Sequence, residues 1–178
     1  MARLFANPQI FKYPIVILPE KLPEQAAAAQ QENAKYLNKI KKRKPKQLDQ
    51  VMGNLHQEVF QEIDCLTCAN CCKTTGPLFV ASDIKRISKR LKMRPSDFET
   101  TYLRIDEEGD KVLQQLPCPF LGADNYCSIY ADRPKACREF PHTDRAKFHQ
   151  LTAITAKNVA VCPAVFAMLE RLKVELPL

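Results

Sequence analysis

The run Cys65-Leu66-Thr67-Cys68-Ala69-Asn70-Cys71-Cys72 puts four thiols within eight residues, and Cys118, Cys127, Cys137 and Cys162 follow it. Against these eight cysteines stand three histidines, His56, His142 and His149. Soft thiolates select zinc, copper(I) and iron–sulfur clusters, whereas oxygen-rich sites select magnesium or calcium. Two residues separate Cys65 from Cys68 and Cys68 from Cys71. Such a loop curls so that sulfurs converge while backbone N–H groups point at them. Three cysteines at this spacing with a remote Cys-Pro approach the bacterial [4Fe–4S] pattern, and Cys118-Pro119 and Cys162-Pro163 are both candidates for the remote ligand. A zinc site usually draws its ligands as two close pairs. The second pair is missing, because the later gaps are eight, nine and twenty-four residues. Cys72 adjoins Cys71, and adjacent side chains diverge from a common backbone. It is therefore expected to serve a second centre or to remain a thiol. Eight cysteines suffice for two four-ligand centres.

The chain of 178 residues has the length of one domain with room for an accessory segment, and 46% apolar residues suffice for an ordinary core. That argues against a small secreted scaffold stapled by disulfides. The early apolar stretch Ile15-Val16-Ile17-Leu18, fenced by Pro14 and Pro19, is too short for an export signal or a membrane span. A cytoplasmic location is expected, where close-spaced cysteines hold metal or do redox chemistry. The net charge of +7 is uneven: residues 1–60 hold 10 Lys/Arg against 5 Asp/Glu, and residues 61–178 hold 17 against 15. Metal-bound thiolates would lower the charge of the cysteine region further.

Pro8, Pro14, Pro19 and Pro23 predict an extended N-terminal arm over residues 1–24, a possible contact for a protein partner. Residues 25–63 predict a helical segment broken or kinked at Pro45. Its second half carries Leu48, Val51, Met52, Leu55, Val59, Phe60 and Ile63 at helical spacing. Residues 64–178 are expected to form the cysteine-cluster domain. Within it, Ser82 is read as the cap of a helix to about Leu91, and Pro95 opens another to about Leu103. A hairpin is expected to turn at Glu108-Gly109, and a turn at Gly122–Asn125 separates Cys118 from Cys127. Short helices are expected around 133–139 and 144–157, with a final one from Pro163 to Val174. The fold class is mainly α with minor β, a small helical domain organised by metal.

The combined motif Cys65-x2-Cys68-x2-Cys71-Cys72, Cys118-Pro119-Phe120-Leu121, Cys127-Ser128-Ile129-Tyr130, Arg133-Pro134, Cys137-Arg138-Glu139-Phe140-Pro141 and Cys162-Pro163 resembles the bacterial CxxCxxCC cysteine-cluster family. The resemblance implies a zinc- or iron-chelating domain over about residues 60–170, with all eight cysteines as candidate ligands. A related cluster occurs in the flagellin lysine N-methylases, an enzymatic lead. The chain has only four glycines and no Gly-rich nucleotide loop, so autonomous methylation is not expected.

Arg133 and Arg138 flank Cys137 and have two readings: guanidinium groups that offset cluster charge, or structural ion pairs with Asp132, Glu139 or Asp144. Phe120, Tyr126, Tyr130 and Phe140 are placed to shield a metal from water. The histidines are expected to be surface or capping groups rather than ligands. The basic run Lys39, Lys41, Lys42, Arg43, Lys44 and Lys46 has no interleaved aromatics, so a solvated helix face is expected and nucleic acid is not. No catalytic triad or carboxylate pair can be argued. The leading expectation is a protein binding an iron–sulfur cluster, [4Fe–4S]-type, or zinc. The alternatives are a cluster-dependent enzyme, protein-modifying or redox, and a structural zinc domain for protein interaction.

Overall fold

A computed structural model describes residues 17–178; the expectation of an arm over 1–16 lies outside them. From Pro19 onward the chain is not extended. A 3-10 turn at Pro19–Lys21 leads into helix α1 (Leu22–Arg43), so the helix begins earlier than residue 25. Pro23 sits in the first turn, where its missing N–H is not needed. Lys44 takes a left-handed conformation and donates its N–H to Ile40 O (2.9 Å), which ends α1 before Pro45. Helix α2 (Leu48–Glu62) follows and buries Leu48, Met52, Leu55 and Val59, as its spacing requires.

The chain divides into two compact units, Met1–Asp64 with Pro141–Leu178, and Cys65–Phe140. The expected cysteine domain over 64–178 is thus divided. Residues from Pro141 onward belong with α1 and α2, for a physical reason. Helix α9 (Pro163–Glu175) buries every residue from Pro163 to Leu172, and an all-round apolar helix needs cover on all sides. It packs against α2, α1 and α8 (Thr152–Val159). Its charged residues are paired: Arg171 with Glu62 at 3.1 Å, Lys173 with Glu170 at 2.8 Å and Glu32 at 3.1 Å. Among the described residues no single helix is long and apolar enough to cross a membrane.

The Cys65–Phe140 unit begins with two short helices, α3 (Cys65–Cys68) and α4 (Asn70–Thr74), joined by Ala69 in a left-handed conformation. Next come α5 (Ala81–Arg90) and α6 (Pro95–Tyr102). An antiparallel hairpin of β1 (Leu103–Ile105) and β2 (Lys111–Leu113) turns through Gly109, whose φ of 84° suits glycine. The last helix of the unit is α7 (Lys135–Glu139). Its core comprises Phe79, Ile84, Ile87, Phe98, Leu103, Leu113, Phe120 and Ile129. The Phe98 and Phe120 rings stack with centroids 6.2 Å apart. Cys118 and Cys127 pack on this cluster, so the core itself fixes their positions.

Candidate metal centre

Seven of the eight cysteines, Cys65 to Cys137, lie in the Cys65–Phe140 unit, and none of the eight is in a disulfide. Cys162 lies in the other unit, buried at the start of α9, where its N–H donates to Asn158 O (2.8 Å). All three histidines are also in that unit. His56 Nδ1 is 2.8 Å from Thr143 Oγ1 and its ring packs on Phe60, while His142 takes a left-handed backbone conformation.

Cys72 and Cys118, forty-six residues apart, meet through their backbones: the Cys118 N–H donates to Cys72 O at 2.8 Å. From Cys118 the chain makes a tight loop back to Cys127. Leu121 and Cys127 form a bridge, and Ser128 N donates to Phe120 O at 2.9 Å. A Cβ at Gly122 would meet Asp124 Oδ1 at 2.5 Å and Tyr126 O at 3.2 Å, so a side chain there would displace the Asp124 carboxylate. Asn125 Nδ2 donates to Thr67 O at 3.0 Å, tying the loop to the first cysteine helix.

The segment between Cys127 and Cys137 is pinned by α5. The Asp83 carboxylate, in a wholly buried residue, accepts the Lys135 N–H (3.1 Å) and Arg86 Nη2 (2.7 Å) and reaches back to Val80 N (3.3 Å). It thereby caps two helices, α5 and α7, whereas the expected cap, Ser82, is exposed within the first turn of α5. Arg86 also donates to Asp132 O (3.2 Å) and Arg133 O (2.9 Å). Arg133 donates to Tyr130 O at 2.8 Å and lies over the Tyr130 ring, and Arg138 donates to Arg133 O at 2.9 Å. Both guanidinium groups thus bond carbonyl oxygens of their own loop. Tyr126 and Tyr130 are exposed, whereas Phe120 is buried.

Cys72, Cys118, Cys127 and Cys137 form one electrostatic neighbourhood. The hydrogen bond from Cys71 brings the Cys72 thiol down to about 7, burial opposes this, and Lys73 lowers it further. Burial raises Cys118 to about 11; the N–H groups of Phe120 and Leu121 on its sulfur oppose that, and the charges of Cys72 and Cys127 add to it. Burial raises Cys127 too, the Ile129 N–H opposes this, Cys72 adds to it and the Arg133 cation lowers it. Burial pushes Cys137 up to about 12, Cys72, Cys118 and Cys127 push it further, and Arg133 pulls back. The charge of Cys72 thus reaches Cys118, Cys127 and Cys137 alike.

Among the described residues no group of three or more His, Cys, Asp or Glu side chains stands ready-arranged to hold a metal ion. The donor chemistry nonetheless fits a soft cation. Cys72 acts by charge on the other three thiols, N–H groups already point at two sulfurs, and a cation relieves the repulsion of ionising them together. Residues 64–160 match the CxxCxxCC family, described as a "Putative zinc- or iron-chelating domain", and the chain belongs to that family. Neither a curated protein nor a solved structure matches it.

The motif spacing located every cysteine in this neighbourhood. It did not reveal Asp83 or Arg86, which lie more than forty residues before the segment they hold. An acid at the third position of a helix is the one signal that could have marked Asp83.

Proposed function

We propose that this chain chelates a thiophilic metal through Cys72, Cys118, Cys127 and Cys137, with Cys65, Cys68 and Cys71 supplying a further thiol group. The observation that carries this reading is the reach of Cys72 to the other three thiols, with its backbone bonded to that of Cys118 at 2.8 Å, across three separate stretches of sequence. Cys162, the eighth candidate thiol, lies in the helical unit. An iron–sulfur centre is favoured over zinc because the ligands do not come as two close pairs and because the opening run has the [4Fe–4S] spacing. When bound, such a centre supplies one-electron redox chemistry, whereas zinc closed by four thiolates supplies a cross-link. Arg133 would offset thiolate charge, since it acts on both Cys127 and Cys137.

The test is anaerobic purification followed by iron, sulfide and zinc analysis per chain and a visible spectrum. Iron with matching sulfide and a broad visible band is expected. Cys72→Ser should lose most of the metal. Stoichiometric zinc without sulfide would overturn the iron–sulfur assignment. Full metal content in Cys72→Ser would overturn the ligand set.

A further inference from the structure

The junction of α1 and α2 carries an unbalanced positive charge that the metal centre does not use. Seven Lys and Arg residues lie between Lys35 and Lys46, and all are exposed. No acidic residue occurs from Asn33 to Leu48. Lys39 Nζ reaches Leu178 O at 2.6 Å, and among the described residues no Asp or Glu side chain pairs with any of the seven. The flanking acids are turned elsewhere. Glu32 pairs with Lys173 at 3.1 Å, and Asp49 accepts Lys147 N at 2.6 Å and Phe148 N at 2.9 Å.

The Asp49 contact adds a cation from the far end of the chain. It fixes Lys147, exposed and in a left-handed conformation, beside the first turn of α2. The helix dipole accounts for cations in the last turn of α1, Lys41 to Arg43. It does not reach Lys35 or Lys39, nor does it explain Lys46 and Lys147. Lys35 and Lys39, and Lys39 and Arg43, are like charges one helical turn apart, an arrangement that weakens a helix. An ordinary solvated face intersperses both signs. This one does not.

We infer that this corner is a docking surface for the phosphodiester backbone of duplex nucleic acid. A polyanion is what an uncompensated cation cluster on a fixed helix end complements. Along residues 35–46 every exposed side chain is polar or charged. Without an apolar wedge the corner lacks what anchors an amphipathic helix in lipid. Without an aromatic it lacks a platform for unpaired bases. Backbone contact of this kind is independent of sequence and sensitive to salt.

The test is fluorescence anisotropy of the full chain, purified with its metal, on duplex DNA and on duplex RNA of about 20 base pairs, with phosphatidylserine vesicles as a third arm. Binding through about four phosphates should weaken about a hundredfold between about 50 and 200 mM salt. The quadruple variant Lys35→Gln, Lys39→Gln, Lys42→Gln, Lys46→Gln should lose at least about tenfold in affinity at low salt and flatten the salt slope. Lys147→Gln alone should lose a smaller factor in the same direction. Lys85→Gln with Lys89→Gln, in the other unit, should change nothing. Preference between the DNA and RNA arms identifies the duplex. Absence of duplex binding at low salt, a quadruple variant that binds as the parent does, or tighter binding to the vesicles would each overturn the inference.

Discussion

Cys72 owes its ionisation to its neighbour. A thiol beside an ordinary peptide stays largely protonated at neutral pH, but the Cys71 hydrogen bond and the Lys73 cation bring this one to about 7. Near pH 7 about half of Cys72 is then thiolate, against about one percent for a thiol of ordinary value near 9. Lower basicity makes a thiolate a weaker nucleophile, which returns about tenfold of that gain. In the metal-free, reduced protein at pH 7, Cys72 should therefore alkylate about fivefold faster than an ordinary thiol. Cys118 and Cys137, raised to about 11 and about 12, should react last. Peptide mass spectrometry of an iodoacetamide time course measures this, and a Cys71→Ala variant should slow Cys72 alone. Uniform labelling of all four would count against the arrangement. The sequence identified Cys72 as the odd member of its run, because adjacent side chains diverge. It could not supply the partners, which arrive only when the 118–127 loop folds back. The same holds for Arg133 and Arg138, whose neighbours are carbonyl groups of their own loop.

Elements of this protein are joined by a few buried polar side chains, and those joints are its sensitive points. Removing the Asp83 carboxylate leaves the Lys135 N–H and part of Arg86 without an acceptor in a buried setting. Asp83→Ala should cost about 2–3 kcal/mol by urea unfolding, less than a fully buried ion pair because Arg86 is partly exposed. Arg86→Ala should cost about 1–2 kcal/mol, and both variants should hold less metal, since Cys137 rides on α7. Wild-type stability and full metal content in Asp83→Ala would show that the clamp is dispensable. In the helical unit the corresponding joint is Tyr36 on α1, whose hydroxyl donates to Leu172 O at 3.0 Å and Leu176 O at 2.7 Å. Burial raises this phenol well above its ordinary value of 10. The unfolded chain therefore releases the proton first. Stability from this group is complete below about pH 10 and declines above it, by up to about 1.4 kcal/mol per pH unit. Tyr36→Phe should lose about 1–2 kcal/mol at neutral pH and show a shallower alkaline decline. Thermal melts from pH 8 to 11 compare the two slopes; identical slopes would mean that Tyr36 is not the titrating group. Helix periodicity made α2, α5 and α9 legible without a structure, because each carries its apolar face in its own sequence. Asp83 and Tyr36 were not legible. Their partners lie 52 and up to 140 residues away.

At the scale of the molecule, both ends of the described chain build the helical unit, and the cysteine unit is inserted between them. The sequence suggested a cysteine domain running to residue 178 because cysteine spacing continues to Cys162. Burial decides otherwise, since the all-round apolar surface of α9 is covered by α1, α2 and α8. This division assigns the need for metal to one unit. The Cys65–Phe140 unit has a core of eight buried apolar side chains. A unit of about 70–80 residues rarely draws more than about 3–5 kcal/mol from such a core without a staple. A structural zinc site contributes about 10–16 kcal/mol in small domains, comparable to or more than the whole stability of most domains, about 5–15 kcal/mol. The helical unit should depend on metal less, because long buried faces on α1, α2 and α9 supply its core. Stripping the metal with a strong chelator under reducing conditions should then collapse protection unevenly. Amides of Cys65–Thr74 and of the segment from Cys118 to Glu139 should exchange hydrogen within seconds to minutes, while those of α9 stay protected for hours. Hydrogen exchange read by mass spectrometry distinguishes the outcomes. Equal loss in α9 would mean that metal supports the whole chain. Unchanged protection after complete metal removal would mean that the small aromatic core suffices and that the thiols bind metal without holding the unit together.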